Sequence, residues 1–577
     1  MNFFIHWRYP GTWKLFRLDD RLLLIIFGMV VGVCSGLASV ALNRSLAAML
    51  EWLHPFRHIW WGFLLPGLGA ALSSIFLNKI MKEGAGHGVP EVIYSISRYR
   101  GLLRFRTSFS RLISSCLTIG SGGSAGPEAP VVISGAAIGS NIAKIFSLND
   151  RQRVALVGCG AAGAISAIFN APIAGMVFSM EVILSEWSAV NIIPVGIASV
   201  AGTEISRILQ GNQIPFSHHQ FNISFLDITA CLGLAIVTAI ASILFSRMIN
   251  YVHERADKVS LPAWVRAGIG GCVVGFIGFF LPVVLGEGYP SVRAAIEGAY
   301  TPGLAIVGLA TLGKIVATAL TLGSGGSGGI FAPCLVVGSF AGLTYHRALV
   351  FLWPHVAWTS EGCFALIGMA GLMSGVLQAP LTGIFLIVEV TGGYEVMLPL
   401  IIVAAISTTI CHYVEPASFY LKDLVEKGTL CRPRTDAGIL TNLCLDDLLD
   451  KDCIKVKKDM LLCDFLEAIK ESPDNCYAVE DEETNDFVGI ISLDEIKPYL
   501  PKSETCDTLT IGQIMDIGPV IASHDDEISE ILHRMEAQQM NNIPVVANGK
   551  FIGMLSKTTL LEQYREELIA QTQYLKI

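Results

Sequence analysis

The chain has 577 residues, 52% of them hydrophobic, and a positive mean hydropathy, which excludes an ordinary soluble enzyme. Its net charge of −9 is unevenly placed: from Thr441 onward 27 acidic and 12 basic residues give −15, leaving +6 on the first 440. An apolar, slightly basic body thus precedes an acidic tail, and nucleic acid is not an expected partner.

Residues 1–19 read as a cytoplasmic segment with Arg8, Lys14 and Arg17 and no cleavable signal. Stretches 22–43, 154–180 and 315–345 carry no charge. Each reaches the ~20 residues that span a bilayer. A buried core helix accounts for one such run but not for several in one chain. Arg98, Arg100, Arg104, Arg106 and Arg111 form a basic cluster. The positive-inside rule places it and the N-terminus in the cytoplasm; a snorkelling belt is the alternative. Fourteen cysteines occur without a CxxC pair, so free thiols are expected, with no disulfide framework or zinc site.

The body repeats itself. GHGVP at 86–90 returns as GEGYP at 286–290, an offset of 200. GSGGSAGPEAP at 120–130 returns as GSGGSGGIFAP at 323–333, an offset of 203, with eight of eleven positions identical. NAPIAGMVFSMEV at 170–182 returns as QAPLTGIFLIVEV at 378–390, an offset of 208. Three motifs in one order define two halves, about 20–210 and 222–414. Glycine and proline interruptions in apolar runs predict broken helices in inverted repeats. Open backbone at that depth must face protein or a wet cavity. A helix starting there points free N–H groups and a positive dipole end at an anion; tight small-residue packing is the alternative reading. Glu128, the one charge in the paired loops, is a functional candidate, or else a helix-capping carboxylate.

These segments resemble the CLC family of chloride channels and proton–anion exchangers over nearly the whole chain. GHGVPE, GPEAP, GGIFAP and Ser418-Phe419-Tyr420 carry the resemblance. It implies an α-helical polytopic body over 20–425, with two inverted repeats and broken helices. It implies that Glu128 gates the outer anion site, with backbone around Gly126, Pro127 and Glu128, and at Ile330 and Phe331, binding the anion. Tyr420 would donate its hydroxyl to a central anion, and His87 takes the place of the family's central serine. Val182 falls where many exchangers have an internal proton-transfer glutamate; Glu181 is one position early, and its match with Glu389 favours a structural role. A homodimer with one pathway per subunit is also implied.

After a linker at 426–442, residues 443–577 show soluble alternation, and NDFVGIIS at 485–492 is echoed by GKFIGMLS at 549–556. The tail resembles a paired α/β CBS module on the cytoplasmic side. Adenine nucleotide would contact Glu495 and Thr559, where the usual aspartate is replaced, so a dimerising or regulatory role is preferred. No other cofactor and no metal are expected.

The resulting expectation is a multi-pass protein of a bacterial inner membrane that moves chloride or a similar anion, with protons and lipid as its other partners. Val182 favours passive conduction over proton-coupled exchange. A CBS-bearing membrane sensor would not need broken helices. A divalent-cation transporter would need more membrane carboxylates than are present. No catalytic triad, Walker loop or zinc motif points to an enzyme.

Overall fold

The computed structural model describes residues 20–426, apart from 58, 85–87, 213–215, 217–220 and 222, and residues 443–573, apart from 444, 452, 471, 473, 483, 500–507, 525 and 548. It divides into two units between Thr429 and Leu430.

The first unit is helical and doubled. Its first half runs α1 (Asp20–Arg57), α2 (Leu65–Ile75), α3 (Val89–Tyr99), α4 (Thr107–Gly120), α5 (Glu128–Ile145), α6 (Asp150–Phe169), α7 (Pro172–Phe178) and α8 (Ala189–Gln210). A π-helical turn, Ser179–Ile183, extends α7. The second half runs α9 (Phe225–Asp257), α10 (Ala263–Phe280), α11 (Tyr289–Ile296), α12 (Leu304–Gly323), α13 (Phe331–Leu352), α14 (Glu361–Leu377), α15 (Pro380–Thr391) and α16 (Met397–Val414). A short α17 (Phe419–Glu426) follows. Eight elements face eight equivalents. Among the described residues, nine helices are long and apolar enough to cross a membrane.

Local chemistry sets the breaks. α3, α7, α11 and α15 each carry proline in the first turn, where its missing N–H costs nothing. Asn170 and Gln378 stop α6 and α14 in the left-handed conformation, at φ 56° and 53°. α4 and α12 end at Gly120 and Gly323, so the long apolar runs become two helices and a glycine loop instead of one span.

The two halves pack alike. α6 lies against α1, α5 and α8, and α14 against α9, α13 and α16. Glycine permits these approaches. A Cβ on Gly160 would stand 2.0 Å from the Gly135 carbonyl oxygen, and one on Gly135 would stand 2.2 Å from the Gly160 oxygen. Gly338 and Gly368 repeat the arrangement between α13 and α14 at 2.5 and 2.3 Å. Helix axes this close bury backbone against backbone, and the packed pairs hold the starts of α5 and α13 in place.

The second unit holds two copies of one sheet. β1 (Lys455–Lys457), β2 (Cys476–Glu480) and β3 (Phe487–Ser492) lie in that order, parallel and then antiparallel. β4 (Ala522–Ser523), β5 (Asn542–Ala547) and β6 (Lys550–Ser556) repeat it. The copies are interlocked: Leu445 and Leu448, which precede the first sheet, sit in the core of the second, with Ile531, Val545 and Leu555. Phe487 and Phe551 stack at the join, 6.0 Å apart. The expectation of free tail thiols is corrected at Cys463, which is disulfide-bonded.

Two predictions follow from this packing. Gly160→Ala drives its new methyl into the Gly135 carbonyl and should cut the yield of monodisperse protein severalfold in size-exclusion chromatography, whereas Gly84→Ala, with no atom of the described residues within 4 Å of the new methyl, should leave it unchanged. In the tail, burial pushes the Cys453 thiol up to about 12 and the Cys476 thiol up to about 11. Thiolate is therefore scarce at neutral pH, and mass spectrometry should find both unlabelled by maleimide until the protein is unfolded.

Candidate functional site

The two glycine loops meet. Gly126 N–H donates to the Gly329 carbonyl at 2.8 Å, and Gly329 N–H donates to the Gly126 carbonyl at 2.7 Å. Around this bridge the backbone contacts are made in both senses, as a local two-fold requires, while the side-chain hydroxyl pairs differ by one position. Ser124 N–H donates to Thr321 Oγ1 at 3.0 Å, and Ser327 N–H to Thr118 Oγ1 at 3.3 Å. Ser124 pairs with the Thr318 hydroxyl and Ser327 with the Ser114 hydroxyl. Open backbone deep in an apolar body thus finds its partners across the repeat boundary.

α5 starts at Glu128 and α13 at Phe331, on either side of the bridge. Their first-turn amides have no preceding turn to donate to, so both ends carry partial positive charge. Glu128 is fully buried. Its Oε1 accepts a hydrogen bond from the Tyr289 hydroxyl at 2.6 Å, and its Oε2 lies 3.4 Å from Ala332 N–H in the first turn of α13. A Cβ on Gly126 would stand 1.9 Å from Oε2, so this glycine makes room for the carboxylate. The carboxylate thus lies where two helix starts converge, and their partial positive charge favours its ionised form.

Of the residues expected to bind an anion through their backbone, Gly126 has its amide on Gly329 and Pro127 has no N–H, while Glu128 and Phe331 lie in first helical turns and Ile330 is the N-cap of α13. The Phe331 ring is fixed by Phe178 at 5.2 Å and Phe169 at 6.3 Å.

Tyr420 lies on α17, which packs on α3 and α14. It is 1% exposed, and its hydroxyl has no hydrogen-bond partner among the described residues. A buried orphan hydroxyl costs on the order of 1–3 kcal/mol unless something binds it. His87 lies outside the described residues. Next to it, Gly88 has φ 82° and sets the start of α3 against Ala129 in the first turn of α5.

Glu181 and Glu389 are matching caps, each on the other half's helix. Glu181 accepts from Leu381 N–H at 3.2 Å and from the Thr382 N–H and hydroxyl at 2.7 Å, all at the start of α15. Glu389 accepts from Ile173 and Ala174 N–H at 3.0 and 2.8 Å, at the start of α7. Val182 is buried beside Glu181. In the tail, Glu495 closes a capping box on Ser492, accepting its N–H at 2.8 Å, and Thr559 is exposed.

Sequence reasoning missed Tyr289 and Lys314. Lys314 is fully buried on α12 and donates to the Val284 and Gly286 carbonyls at 3.1 and 2.8 Å. The signals were available: Tyr289 is inside the repeated GEGYP, and Lys314 is the charge at which the apolar run 315–345 begins.

Comparison with known proteins gives a consistent picture. The family model described as voltage gated chloride channel matches residues 69–412, and a CBS domain model matches 511–566. The chain is 25% identical over 621 residues to chloride channel protein CLC-f of Arabidopsis thaliana, covering 93% of this chain and 79% of that one. It is 28% identical over 400 residues to the H(+)/Cl(-) exchange transporter ClcA of Vibrio cholerae, covering 66% and 84%. Its fold matches a slow cyanobacterial Cl-/H+ antiporter with a TM-score of 0.64 at 23% identity, over 71% of this chain and 99% of that one.

The crossed caps generate a stability prediction. Glu181→Ala and Glu389→Ala each remove charge-assisted hydrogen bonds from a half-buried helix start and should destabilise the protein by about 1.5 kcal/mol. The expected result is a lower thermal unfolding midpoint in detergent, with the glutamine variants nearer wild type because an amide oxygen still accepts.

Proposed function

Because the chain belongs to the voltage gated chloride channel (CLC) family, we propose that it exchanges chloride or a similar small anion for protons across the membrane, gated by Glu128. The family makes it an integral, multi-pass anion transporter and not an enzyme. The observation that carries the reading is the Glu128 carboxylate seated between the starts of α5 and α13, where a substrate anion would sit. Deprotonated, it competes for that seat. Protonated, it loses its attraction for the helix ends and leaves, and an anion takes its place at the amides of Ile330, Phe331 and Ala332. The unpartnered Tyr420 hydroxyl is the next donor along the path. Carboxylate and anion thus exclude each other at one position, and Glu128 must take up a proton before an anion can hold the seat, which ties the movement of the one to the other.

Passive conduction is the second reading. Val182 is the observation that favours it, since a buried valine cannot relay a proton. The similarity to proteins named as exchangers weighs the other way. The working unit is a homodimer with one pathway per subunit, and it resides in a bacterial inner membrane. The basic segment 98–111, the N-terminus and the tail face the cytoplasm. The tail dimerises or regulates; with Glu495 committed to its own helix cap and a strongly acidic surround, adenine nucleotide is the weaker reading.

The deciding experiment follows chloride and pH together in proteoliposomes. A chloride gradient should drive protons uphill; chloride flux with no proton movement would overturn exchange in favour of passive conduction. Glu128→Ala should keep anion flux and abolish proton movement. Tyr420→Phe should weaken chloride binding about tenfold by calorimetry, the scale of one lost hydrogen bond to a charged partner.

A further inference from the structure

We propose that Tyr289 is the latch of the Glu128 gate: its hydroxyl holds the carboxylate in its seat, and Lys314 fixes the loop that carries it. The proposal rests on the gate reading above and adds a positioning residue to it.

The contact is short and crosses the repeat boundary. Tyr289 Oη and Glu128 Oε1 are 2.6 Å apart, within the range of hydroxyl-to-carboxylate bonds. Among the described residues it is the side-chain donor to this carboxylate, whose other donors are backbone amides, Ala332 N–H at 3.4 Å and its own N–H. Helix ends attract any anion at this point, so they cannot by themselves favour the tethered carboxylate over a free one. The Tyr289 hydroxyl adds a bond at the place where Glu128 enters its seat, and so biases that competition.

The hydroxyl is held from three sides. Gly288 takes φ 85° as the N-cap of α11, which turns Tyr289 toward the first half. The ring rests edge-on against buried Phe216, with centroids 6.2 Å apart. The preceding loop is tied down at both ends: Lys314 Nζ donates to the Val284 and Gly286 carbonyls, and Gly286 N–H donates to the Gly122 carbonyl at 3.2 Å. A buried ammonium is costly unless its donors are used, and here they fix the loop that aims Tyr289. The motif is the repeat counterpart of GHGVP, in which Val89 occupies the place of Tyr289. One copy of the duplicated loop has therefore acquired the hydroxyl.

Among the described residues, the other titratable groups in electrostatic range of Glu128 are Glu287 on the same loop as Tyr289, Cys334 on α13 and Tyr420 on α17, while Lys314 on α12 faces Glu287. All of them remain in Tyr289→Phe, so that variant isolates the hydroxyl. A donor to the carboxylate stabilises its charged, seated form. Removing it should let the gate open at lower proton activity, so the pH of half-maximal anion flux should rise by about one unit, a tenfold change in seating. In the Glu128→Gln background, where no carboxylate remains to titrate, Tyr289→Phe should shift nothing further.

An unchanged midpoint in Tyr289→Phe, or an equal shift in the Glu128→Gln background, would overturn the latch. Tyr289→Leu serves the same purpose should the phenylalanine variant fail to fold. A third readout needs no substitution: infrared difference spectra between chloride-loaded and chloride-free protein should show one tyrosine C–O band moving, and a spectrum without it counts against the latch. The proton-to-anion ratio in the same vesicles decides exchange separately. A shifted midpoint without proton movement keeps the latch and sinks exchange; a fixed midpoint with proton movement does the reverse.

Discussion

Two backbone hydrogen bonds, Gly126 to Gly329 and back, are the constraint on which the body is built. Each glycine loop leaves unpaired amides and carbonyls inside an apolar mass, where water cannot satisfy them. Neither loop can be buried alone. Together they close each other's backbone and leave the first turns of α5 and α13 outside the pairing, where amides of Glu128 and Ala332 turn to the Glu128 carboxylate instead. The site is what remains after the pairing: two helix starts that the bridge itself does not consume.

The surrounding architecture keeps that remainder small and fixed. Glycine contacts between α5 and α6, and between α13 and α14, hold the helices that begin at the bridge. The crossed caps of Glu181 and Glu389 bind each half to the other's broken helix away from the bridge. Here a membrane carboxylate stabilises structure while another, Glu128, lies where the two helix starts converge. What separates them is the kind of donor: Glu181 and Glu389 each receive the other half's backbone amides on both oxygens, whereas Glu128 takes a side-chain hydroxyl on one oxygen and has only its own N–H and the Ala332 amide at 3.4 Å as backbone donors among the described residues.

Much of this was legible in the sequence because duplication writes the fold twice. The three offset motifs, the breaks at Gly120 and Gly323 and the match of Glu181 with Glu389 all follow from comparing the chain with itself. What self-comparison hides is difference. Tyr289 reads as one letter changed in a repeated loop, and its approach to Glu128 depends on how the halves face each other, which no spacing states. Lys314 reads as the edge of an apolar run, and only the fold reveals the carbonyls that hold it. The use of the Gly126 amide was likewise invisible, since a glycine loop gives no sign of which donors its partner consumes. Val182 could be read, but a missing proton relay in one position did not outweigh the similarity to exchangers of the chain as a whole.

By the offset of 203, the repeat twin of Glu128 is Phe331. A faithful duplication about a two-fold would make a passage identical from either mouth, with no means of telling one compartment from the other. At the bridge the paired backbone hydrogen bonds stay symmetric, and the departures lie beside them: a proline without an N–H and a carboxylate on one arm, Ile330 and a ring on the other. The molecule's sense of direction is thus a matter of a few atoms laid over a scaffold that has none.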